Sequence, residues 1–340
     1  MKAAVFHGPG DIEALSDVAC PGVGEGEVLI QVEACGICGS DLHMYRTNAH
    51  RADLVRVSVC GREIPGHEFA GTVVAVGEGV EDFTSGDRVV GVGMGGMAEF
   101  VPIPVNPFQI THMPQTVSFE DAATTEPLAD GLQMVRLAEI GPGENVVIFG
   151  VGMIGLGVIQ VLRALDIDVG HIVAIDVSAQ RLHTAKALGA THAINALTQK
   201  PVEQVGHICG VLPMYSAPFV APNVSVVFDC AGYLKHVKGP PPLQSAMEMV
   251  GPRGGRIICF GAFEGEVTLD PMPIIHKQIV IRGSNGYAAD ELKQALDLMA
   301  SGKIDRRMLI SHQFPIAEIK RAFAVQASGQ AIKVLIKPGL

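Results

Sequence analysis

Apolar and polar residues alternate in short runs over roughly the first third of the chain. Three examples are the runs 28–32, 71–76 and 87–92, and glycine or proline separates such runs from their neighbours. Alternation with a period of two is typical of strands that bury one face. The pattern therefore predicts an antiparallel, barrel-like β domain from residue 1 to about residue 126.

The pattern changes between about residues 127 and 286, where continuous apolar runs alternate with helical periodicity. A run at 146–149 precedes a glycine turn and a helix, and a run at 172–175 precedes a helix over 179–188. Alternating strands and helices predict a parallel sheet that helices cover on both faces. Further strands of this sheet are predicted at 224–228, 256–260 and 278–281.

The final part of the chain combines two predicted helices, 289–300 and 317–326, with a strand at 331–336. We expect this part to return to the first domain. The stretch 207–223 is rich in proline and small residues, and we predict that it is a loop or an insertion. The predicted domains are therefore a first domain formed by 1–127 and 287–340, and a second formed by 128–286.

Composition narrows the classes of partner. The 340 residues carry a formal net charge of -10, which argues against a nucleic acid or an anionic membrane as partner because both require clustered cations. The uncharged stretch 145–162 contains four glycines and is no longer than the shortest membrane spans, so we interpret it as a buried strand, turn and helix. The seven cysteines are an odd number without a visible signal peptide, and we expect a reducing cytoplasm.

A dinucleotide-binding motif follows the predicted strand at 146–149. Gly150, Gly152 and Gly155 form a G-x-G-x-x-G that opens an apolar helix. The first glycine permits a tight turn, the second lets a pyrophosphate approach the backbone, and the third lets helix and strand pack closely. Asp176 ends the next predicted strand, 21 residues after Gly155.

A carboxylate at the position of Asp176 accepts hydrogen bonds from the ribose hydroxyls of NAD and repels the 2′-phosphate of NADP. We therefore predict NAD as the cofactor, although Asp176 could instead cap the following helix. Arg181 could lie over the adenine or could be a solvated helix residue. Further cofactor contacts are predicted at Met153, Ile154, Arg181, Phe260, Gly261, Ser284 and Asn285.

Potential metal ligands occur in three separate segments of the first domain and its boundary. Cys38, His67 and Glu126 offer a thiolate, an imidazole and a carboxylate, which together suit a zinc ion with an open fourth position. The ligands are 29 and 59 residues apart, so spacing alone proves no site. Each residue taken singly could be a core cysteine, a core histidine or a helix-starting glutamate.

Several motifs together resemble the zinc-containing medium-chain dehydrogenase/reductase family, most closely its polyol, butanediol and threonine dehydrogenase branch. The resemblance covers nearly the whole chain. The motifs that carry it are Met1 to Ala4, Gly36 to Asp41, Gly66 to Glu68, Gly86 to Val89, Gly150 to Gly155, Gly254 to Arg256 and Ile332 to Ile336.

The resemblance implies an α/β protein with a GroES-like β-barrel catalytic domain and a Rossmann coenzyme domain, whose doubly wound parallel sheet binds the cofactor. It implies that Cys38 and His67 are zinc ligands, with Glu126 at the position of a further ligand. Glu68 matches a glutamate that lies beside the metal and can exchange with water or with Glu126. Asp41 matches the carboxylate that orients the ligand histidine.

The same resemblance implies a proton relay that begins at Ser40 and His43. Zinc would act as a Lewis acid toward the alcohol, hydride would pass to the nicotinamide, and the proton would leave through Ser40, the cofactor ribose and His43. We expect the site between the domains, where closure would exclude water.

The chain departs from the family at the second, structural zinc site. Family members often carry four closely spaced cysteines there, but no cysteine occurs between Cys60 and Cys209. We therefore predict one catalytic zinc per chain and no structural zinc.

The carboxylate of Glu126 favours a polyol, a vicinal diol or a 3-hydroxy amino acid over a primary alcohol. The loop 45–59 is predicted to line the substrate pocket. The resemblance implies a homodimer or homotetramer, formed through edge strands of the cofactor domain.

The sequence leaves two other functions open. One is a zinc-independent NAD(P)H quinone or enone reductase of the same superfamily, and the other is a non-enzymatic binder that keeps only the cofactor fold. The potential ligands argue against both, and Asp176 argues against an enzyme that prefers NADPH.

Overall fold

The computed structural model describes residues 1–49, 51–52, 58–214, 219–233 and 239–340. It divides into two compact units. Unit 1 combines Met1–Ala129 with Ala288–Leu340, and unit 2 is Asp130–Tyr287. The first boundary thus falls after residue 129, where the sequence predicted 127, and the second after residue 287, where it predicted 286.

Strands dominate the first third of the chain, and strands alternate with helices after it. The strands are β1 (Ala3–Gly8), β2 (Asp11–Leu15), β3 (Glu27–Gly36), β4 (Glu68–Val76), β5 (Arg88–Val92), β6 (Phe100–Pro104), β7 (Ile110–His112), β8 (Glu144–Phe149), β9 (Val169–Asp176), β10 (His192–Asn195), β11 (Val211–Pro213), β12 (Val220–Pro222), β13 (Val226–Asp229), β14 (Arg256–Cys259), β15 (Val280–Gly283), β16 (Ile310–Pro315) and β17 (Lys333–Lys337). The α-helices are α1 (Gly39–Thr47), α2 (Phe119–Ala122), α3 (Thr125–Ala138), α4 (Met153–Ala164), α5 (Ala179–Ala187), α6 (Pro201–Cys209), α7 (Pro242–Met249), α8 (Met272–Lys277), α9 (Glu291–Ala300) and α10 (Ile319–Ala327). Two short 3₁₀ helices span Arg307–Leu309 and Ile316–Glu318.

Unit 1 is built on a seven-stranded sheet. Its strand order is β16-β17-β3-β4-β5-β7, with β6 paired to β3. The pairs among β3, β4, β5, β6 and β7 are antiparallel, as the alternating pattern predicts, whereas β16 and β17 run parallel. Alternate residues of these strands are buried in one apolar core, which also takes in α10 residues such as Phe323. The C-terminal segment therefore completes the first unit.

Unit 2 contains a six-stranded sheet in the order β10-β9-β8-β13-β14-β15, with every pair parallel. The central strand β13 buries all four of its residues, which explains why the sequence shows a continuous apolar run there. The strand order reverses beside β8, so a crevice opens at the carboxyl ends of the strands on either side of it.

The stretch 207–223 was predicted to be a loop or an insertion, and its described residues form regular structure instead of a loop. Its first three residues end α6, whose buried Val205 and Cys209 fix that helix to the core. Gly210 follows with a φ of 77°, a conformation that favours glycine. The chain then forms an antiparallel hairpin of β11 and β12. A two-stranded ribbon tolerates its prolines because its outer edges need no ladder partner. Residues 215–218 of this stretch lie outside the described part.

No helix among the described residues combines the length and the apolar character that crossing a membrane requires.

Candidate active site

Strand pairing in unit 1 brings three distant segments together. In the register of β3 and β4, Gly36 lies opposite Glu68. On the other side of β3, Gly36 lies opposite Leu335 of β17. Cys38 lies two residues after the end of β3 and His67 immediately precedes β4, so both lie at the same end of this strand pair. The pairing of β3 with β4 therefore brings Cys38 and His67 close together although they are distant in the sequence.

The side chains of Cys38, His67 and Glu68 form a compact cluster. One ligand atom from each residue, a thiol sulfur, an imidazole nitrogen and a carboxylate oxygen, lies within 4.8 Å of the other two. His67 Nε2 and Glu68 Oε1 are 3.9 Å apart. Glu126, at the second position of α3, does not belong to this cluster. Its negative charge nevertheless raises the pKa of Cys38 and of His67. The cluster thus contains three of the four predicted metal-site residues, and Glu126 is the one that lies outside it.

Asp41 fixes the backbone on both sides of the cluster. Its Oδ2 accepts a hydrogen bond from the amide of Cys38 at 2.9 Å, and its Oδ1 accepts one from the amide of Gly66 at 3.2 Å. The first of these bonds is half of a capping box at the start of α1. His67 Nδ1 has no hydrogen-bond partner among the described residues. The Asp41 carboxylate therefore binds the backbone amide of Cys38 and that of Gly66, the residue before His67.

Lys333 is a site residue that the sequence reasoning missed. It lies at the start of β17 and forms a hydrogen-bonded ion pair with Glu68 Oε2. Lys333 is 2% exposed and Glu68 is 1% exposed. Lys333 Nζ also donates to the carbonyl of Ile37 at 3.1 Å. A lysine among the apolar residues of the predicted strand 331–336 was the available signal, since such a residue is rarely buried without a partner.

Burial and charge together set the protonation of the cluster. Burial raises the pKa of the Cys38 thiol well above its usual value, and the Glu68 and Glu126 carboxylates raise it further. Burial alone would lower the pKa of His67, but the surrounding carboxylates outweigh it and raise that pKa. Burial opposes ionisation of Glu68, yet the Lys333 charge and hydrogen bond lower its pKa. The protonation of each group in the cluster therefore depends on the charges of its neighbours.

This arrangement suits a zinc ion. A thiol, an imidazole and a carboxylate are the donor types that zinc prefers, and a bound cation favours the thiolate over the thiol. His67 Nδ1 and Glu68 Oε1 are both buried without a hydrogen-bond partner among the described residues. Unsatisfied buried polar atoms are rare in proteins. A metal ion bound in the cluster would provide a partner for such atoms.

Ser40 and His43 lie three positions apart on α1, so they share one face of that helix. Ser40 Oγ is buried and has no hydrogen-bond partner among the residues described. His43 is only partly buried. Residues 50 and 53–57 of the predicted substrate loop lie outside the described part of the chain.

The glycine motif of unit 2 has the predicted geometry. Gly150 adopts a φ of 89°, and an added Cβ would lie 2.8 Å from the amide nitrogen of Ala231. At Gly155 an added Cβ would lie 2.1 Å from the carbonyl oxygen of Gly150. At Gly152 the nearest atom would be 3.9 Å away, on Arg181. Two glycines therefore permit close packing, while the third leaves open space at the start of α4.

A cavity of about 250 Å³ lies beside this motif. Gly150, Gly152, Asp176 and Arg181 all line it. Asp176 ends β9, and its oxygens accept hydrogen bonds from the amides of Val151 at 2.9 Å and Ser178 at 2.8 Å. The cap of α5 is Ser178 and not Asp176. Asp176 therefore ties the glycine turn to the next strand, at the wall of the cavity.

The other predicted cofactor residues lie around the same sheet edge. Met153 and Ile154 begin α4, Phe260 and Gly261 follow β14, and Ser284 and Asn285 follow β15. None of these six residues lines the 250 Å³ cavity. The sequence reasoning missed the lining segment Cys230 to Tyr233. It follows directly on β13, and the rule that ligands bind at carboxyl ends of parallel strands could have identified it.

Comparisons with known proteins agree with this architecture. Residues 24–115 match the family model described as an alcohol dehydrogenase GroES-like domain, and residues 153–301 match that of a zinc-binding dehydrogenase. The chain is 31% identical to a sorbitol dehydrogenase of Bacillus subtilis, covering 99% of this chain and 97% of that protein. It is 26% identical to an L-threonine 3-dehydrogenase of Proteus mirabilis, with 95% of each chain covered.

A crystal structure of 2R,3R-butanediol dehydrogenase from Bacillus subtilis superimposes with a TM-score of 0.80, at 26% identity over 99% of both chains. The predicted combination of a GroES-like domain with a Rossmann domain is thereby confirmed. The chain belongs to the zinc-containing medium-chain dehydrogenase/reductase family, in the branch of polyol, butanediol and threonine dehydrogenases, and is a zinc-dependent oxidoreductase of hydroxyl compounds.

Proposed function

We propose that this protein oxidises a secondary hydroxyl group of a polyol, a vicinal diol or a 3-hydroxy amino acid with NAD, and that one zinc ion per chain serves the reaction. The observation that carries the proposal is the cluster of Cys38, His67 and Glu68, whose donor atoms lie within 4.8 Å of one another. Cys38 and His67 would hold the ion, and Glu68 or Glu126 would supply the carboxylate.

The bound zinc would supply Lewis acidity toward the substrate hydroxyl, and the bound nicotinamide would supply the hydride acceptor. Ser40 Oγ, which is buried and unsatisfied among the described residues, would take up the hydroxyl proton while releasing its own proton toward His43. His43 would pass that proton to solvent, because its imidazole lies on the same face of α1 and is partly exposed. Asp41 would keep Cys38 and His67 in place through its two amide contacts.

Zinc analysis combined with activity tests this proposal. Elemental analysis of the purified protein should find one zinc per chain, and a panel of polyols, diols and 3-hydroxy amino acids should identify the class that reduces NAD. Cys38→Ser should lose both zinc and turnover. Cys60→Ser is the matched control, because that thiol is exposed and in the same unit. Full zinc and activity in Cys38→Ser, or two tightly held zinc ions per chain, would contradict the proposal.

The preference for NAD is proposed on the position of Asp176 at the wall of the cavity. A carboxylate there favours the ribose diol and repels a 2′-phosphate. Asp176→Ser should lower the NAD to NADP ratio of kcat/KM at least ~10-fold, which corresponds to about 1.4 kcal/mol. Asp168→Ser, an exposed aspartate on the same unit, should leave the ratio unchanged. An unchanged ratio in Asp176→Ser would exclude the preference.

We further propose that two copies associate through β15, the last strand of the six-stranded sheet. Val280 and Ile281 of this strand are 47% and 39% exposed, and Ile275 on α8 is 67% exposed. An exposed apolar edge strand is a template for pairing with another chain. Ile281→Lys should reduce the mass measured by light scattering to that of one chain, while Val211→Lys on the hairpin should not. A wild-type protein that runs as a monomer would refute the interface.

The compartment proposed is the cytoplasm. All seven cysteines are free thiols, which fits a reducing environment.

A further inference from the structure

Arg306 is among the largest side chains that are fully buried in the described part of the chain, and the proposed chemistry does not use it. It lies between α9 and β16 and is 1% exposed. Its Nε donates to Thr124 Oγ1 at 3.0 Å, and its Nη2 donates to the Thr124 carbonyl at 3.4 Å. The guanidinium therefore binds both the side chain and the backbone of one residue. Thr124 immediately precedes α3 and stands two positions before Glu126.

The charge of Arg306 also reaches the cluster. The Glu68 and Asp121 carboxylates both raise the pKa of the guanidinium, Glu68 by more than Asp121. Burial lowers the pKa of Arg306 to about 9, although these carboxylates act to raise it. The side chain is therefore cationic at neutral pH. A charge in a buried environment is weakly screened by solvent and salt, so its effect extends over several ångströms.

In the described part of the chain, the buried cations Lys333 and Arg306 both act on the acidic groups of this site. Glu68, Asp41 and Glu126 contribute carboxylates, and a metal would convert Cys38 into a thiolate. Among the described residues that act on these groups, Lys333 is paired with Glu68. Arg306 is a second buried cation that acts on Glu68. Without the positive charge of Arg306, the electrostatic potential at the site would be more negative, and the site would attract a divalent cation more strongly.

We propose that Arg306 is a positioning residue and a built-in counter-charge of the metal site, which holds the Thr124 segment in place and weakens the affinity of the site for zinc. The inference rests on the proposed function, because it assumes that the cluster of Cys38, His67 and Glu68 binds the ion. It adds a residue outside the donor set that sets how tightly the ion is held.

Zinc affinity provides the decisive measurement, since lost charge and lost structure change it in opposite directions. The protein is stripped of metal and titrated with zinc against a competing chelator. Arg306→Met removes the charge and should tighten zinc binding at least ~10-fold, equivalent to about 1.4 kcal/mol. Arg306→Lys retains the charge and should restore the wild-type affinity within about threefold. A variant that is merely misfolded would bind zinc more weakly.

Two further variants complete the experiment. Arg306→Gln is neutral but keeps a donor for Thr124 Oγ1, and it replaces Arg306→Met if that variant does not fold. Thr124→Val removes one hydrogen bond without changing any charge, so its zinc affinity should stay within about threefold of the wild type.

Unchanged or weaker zinc binding in the neutral variants would contradict the role of Arg306 as a counter-charge. In that case, zinc binding by the wild type and its loss in Cys38→Ser would leave the proposed function intact. If the wild type bound no zinc, or if Cys38→Ser bound it equally well, the proposed function and this inference would both fail.

Discussion

The ion pair between Lys333 and Glu68 provides the sharpest test of how unit 1 is stabilised. Both groups are almost completely removed from solvent, at 2% and 1% exposure. Lys333→Met keeps the length of the side chain but leaves the Glu68 carboxylate buried without its cation. Breaking a buried pair in this way costs about 3–5 kcal/mol, because the remaining charge has lost its solvation without compensation. For a unit of this size we expect a fall in melting temperature of about 10 °C.

Calorimetry of the metal-free protein measures this effect, because zinc would give Glu68 a substitute cation. The two units need not unfold in one step, so the transition of unit 1 must be assigned separately. Lys337→Met is the matched control: Lys337 pairs with Glu120 in the same unit, but the two groups are 15% and 32% exposed. A partly exposed pair contributes at most about 1 kcal/mol.

A double variant separates lost charge from lost packing. Lys333→Met combined with Glu68→Gln removes both charges and should recover at least ~1 kcal/mol relative to Lys333→Met alone. A loss below ~1 kcal/mol in the single variant, or no recovery in the double variant, would refute the view that an uncompensated buried carboxylate dominates the effect.

Three further predictions concern single side chains. Gly36→Ala places a Cβ 2.7 Å from Lys333 and 2.9 Å from Glu68, so urea unfolding should show that it destabilises unit 1 by ~1–3 kcal/mol. Gly39→Ala is the control and should not destabilise the unit, because its added Cβ meets nothing within 4 Å. Gly150→Ala should weaken NADH binding at least ~10-fold by fluorescence titration, since its φ of 89° is unfavourable for alanine, and unaltered binding would argue against the glycine turn. Lys277→Met should cost unit 2 about 1–3 kcal/mol by calorimetry, because Nζ of this buried lysine donates to three carbonyls at the end of α7, and an unchanged transition would show that those bonds add nothing.

The cofactor half of the protein could be predicted from local patterns. A strand, three glycines, an apolar helix and Asp176 occur within about 30 consecutive residues, and the backbone conformations that they require are local. Gly150 accordingly has the positive φ that its place in the turn demands. The segment Cys230 to Tyr233 escaped notice because it joins the cavity only through the order of the strands, which brings β13 beside β8.

The stretch 207–223 shows how composition can mislead. Its prolines and small residues favour a loop, but Val205 and Cys209 are buried against the core of unit 2 and hold α6 together. Helix formation there depends on packing, which overrides weak local propensity. The hairpin that follows depends on pairing between β11 and β12, which periodicity over three residues is too short to reveal.

The sequence by itself determined the chemical inventory: a thiol, an imidazole, carboxylates and a glycine turn for a dinucleotide. Only the tertiary structure decided which of these groups meet. The ladder that pairs β3 with both β4 and β17 places Cys38, His67 and Glu68 together and brings Lys333 against Glu68. Glu126 remains outside that cluster, and Arg306 reaches Thr124 from 182 residues away. Contacts between residues so distant in the chain leave no periodic signal, because they arise from strand pairing and from the need of buried charges for partners.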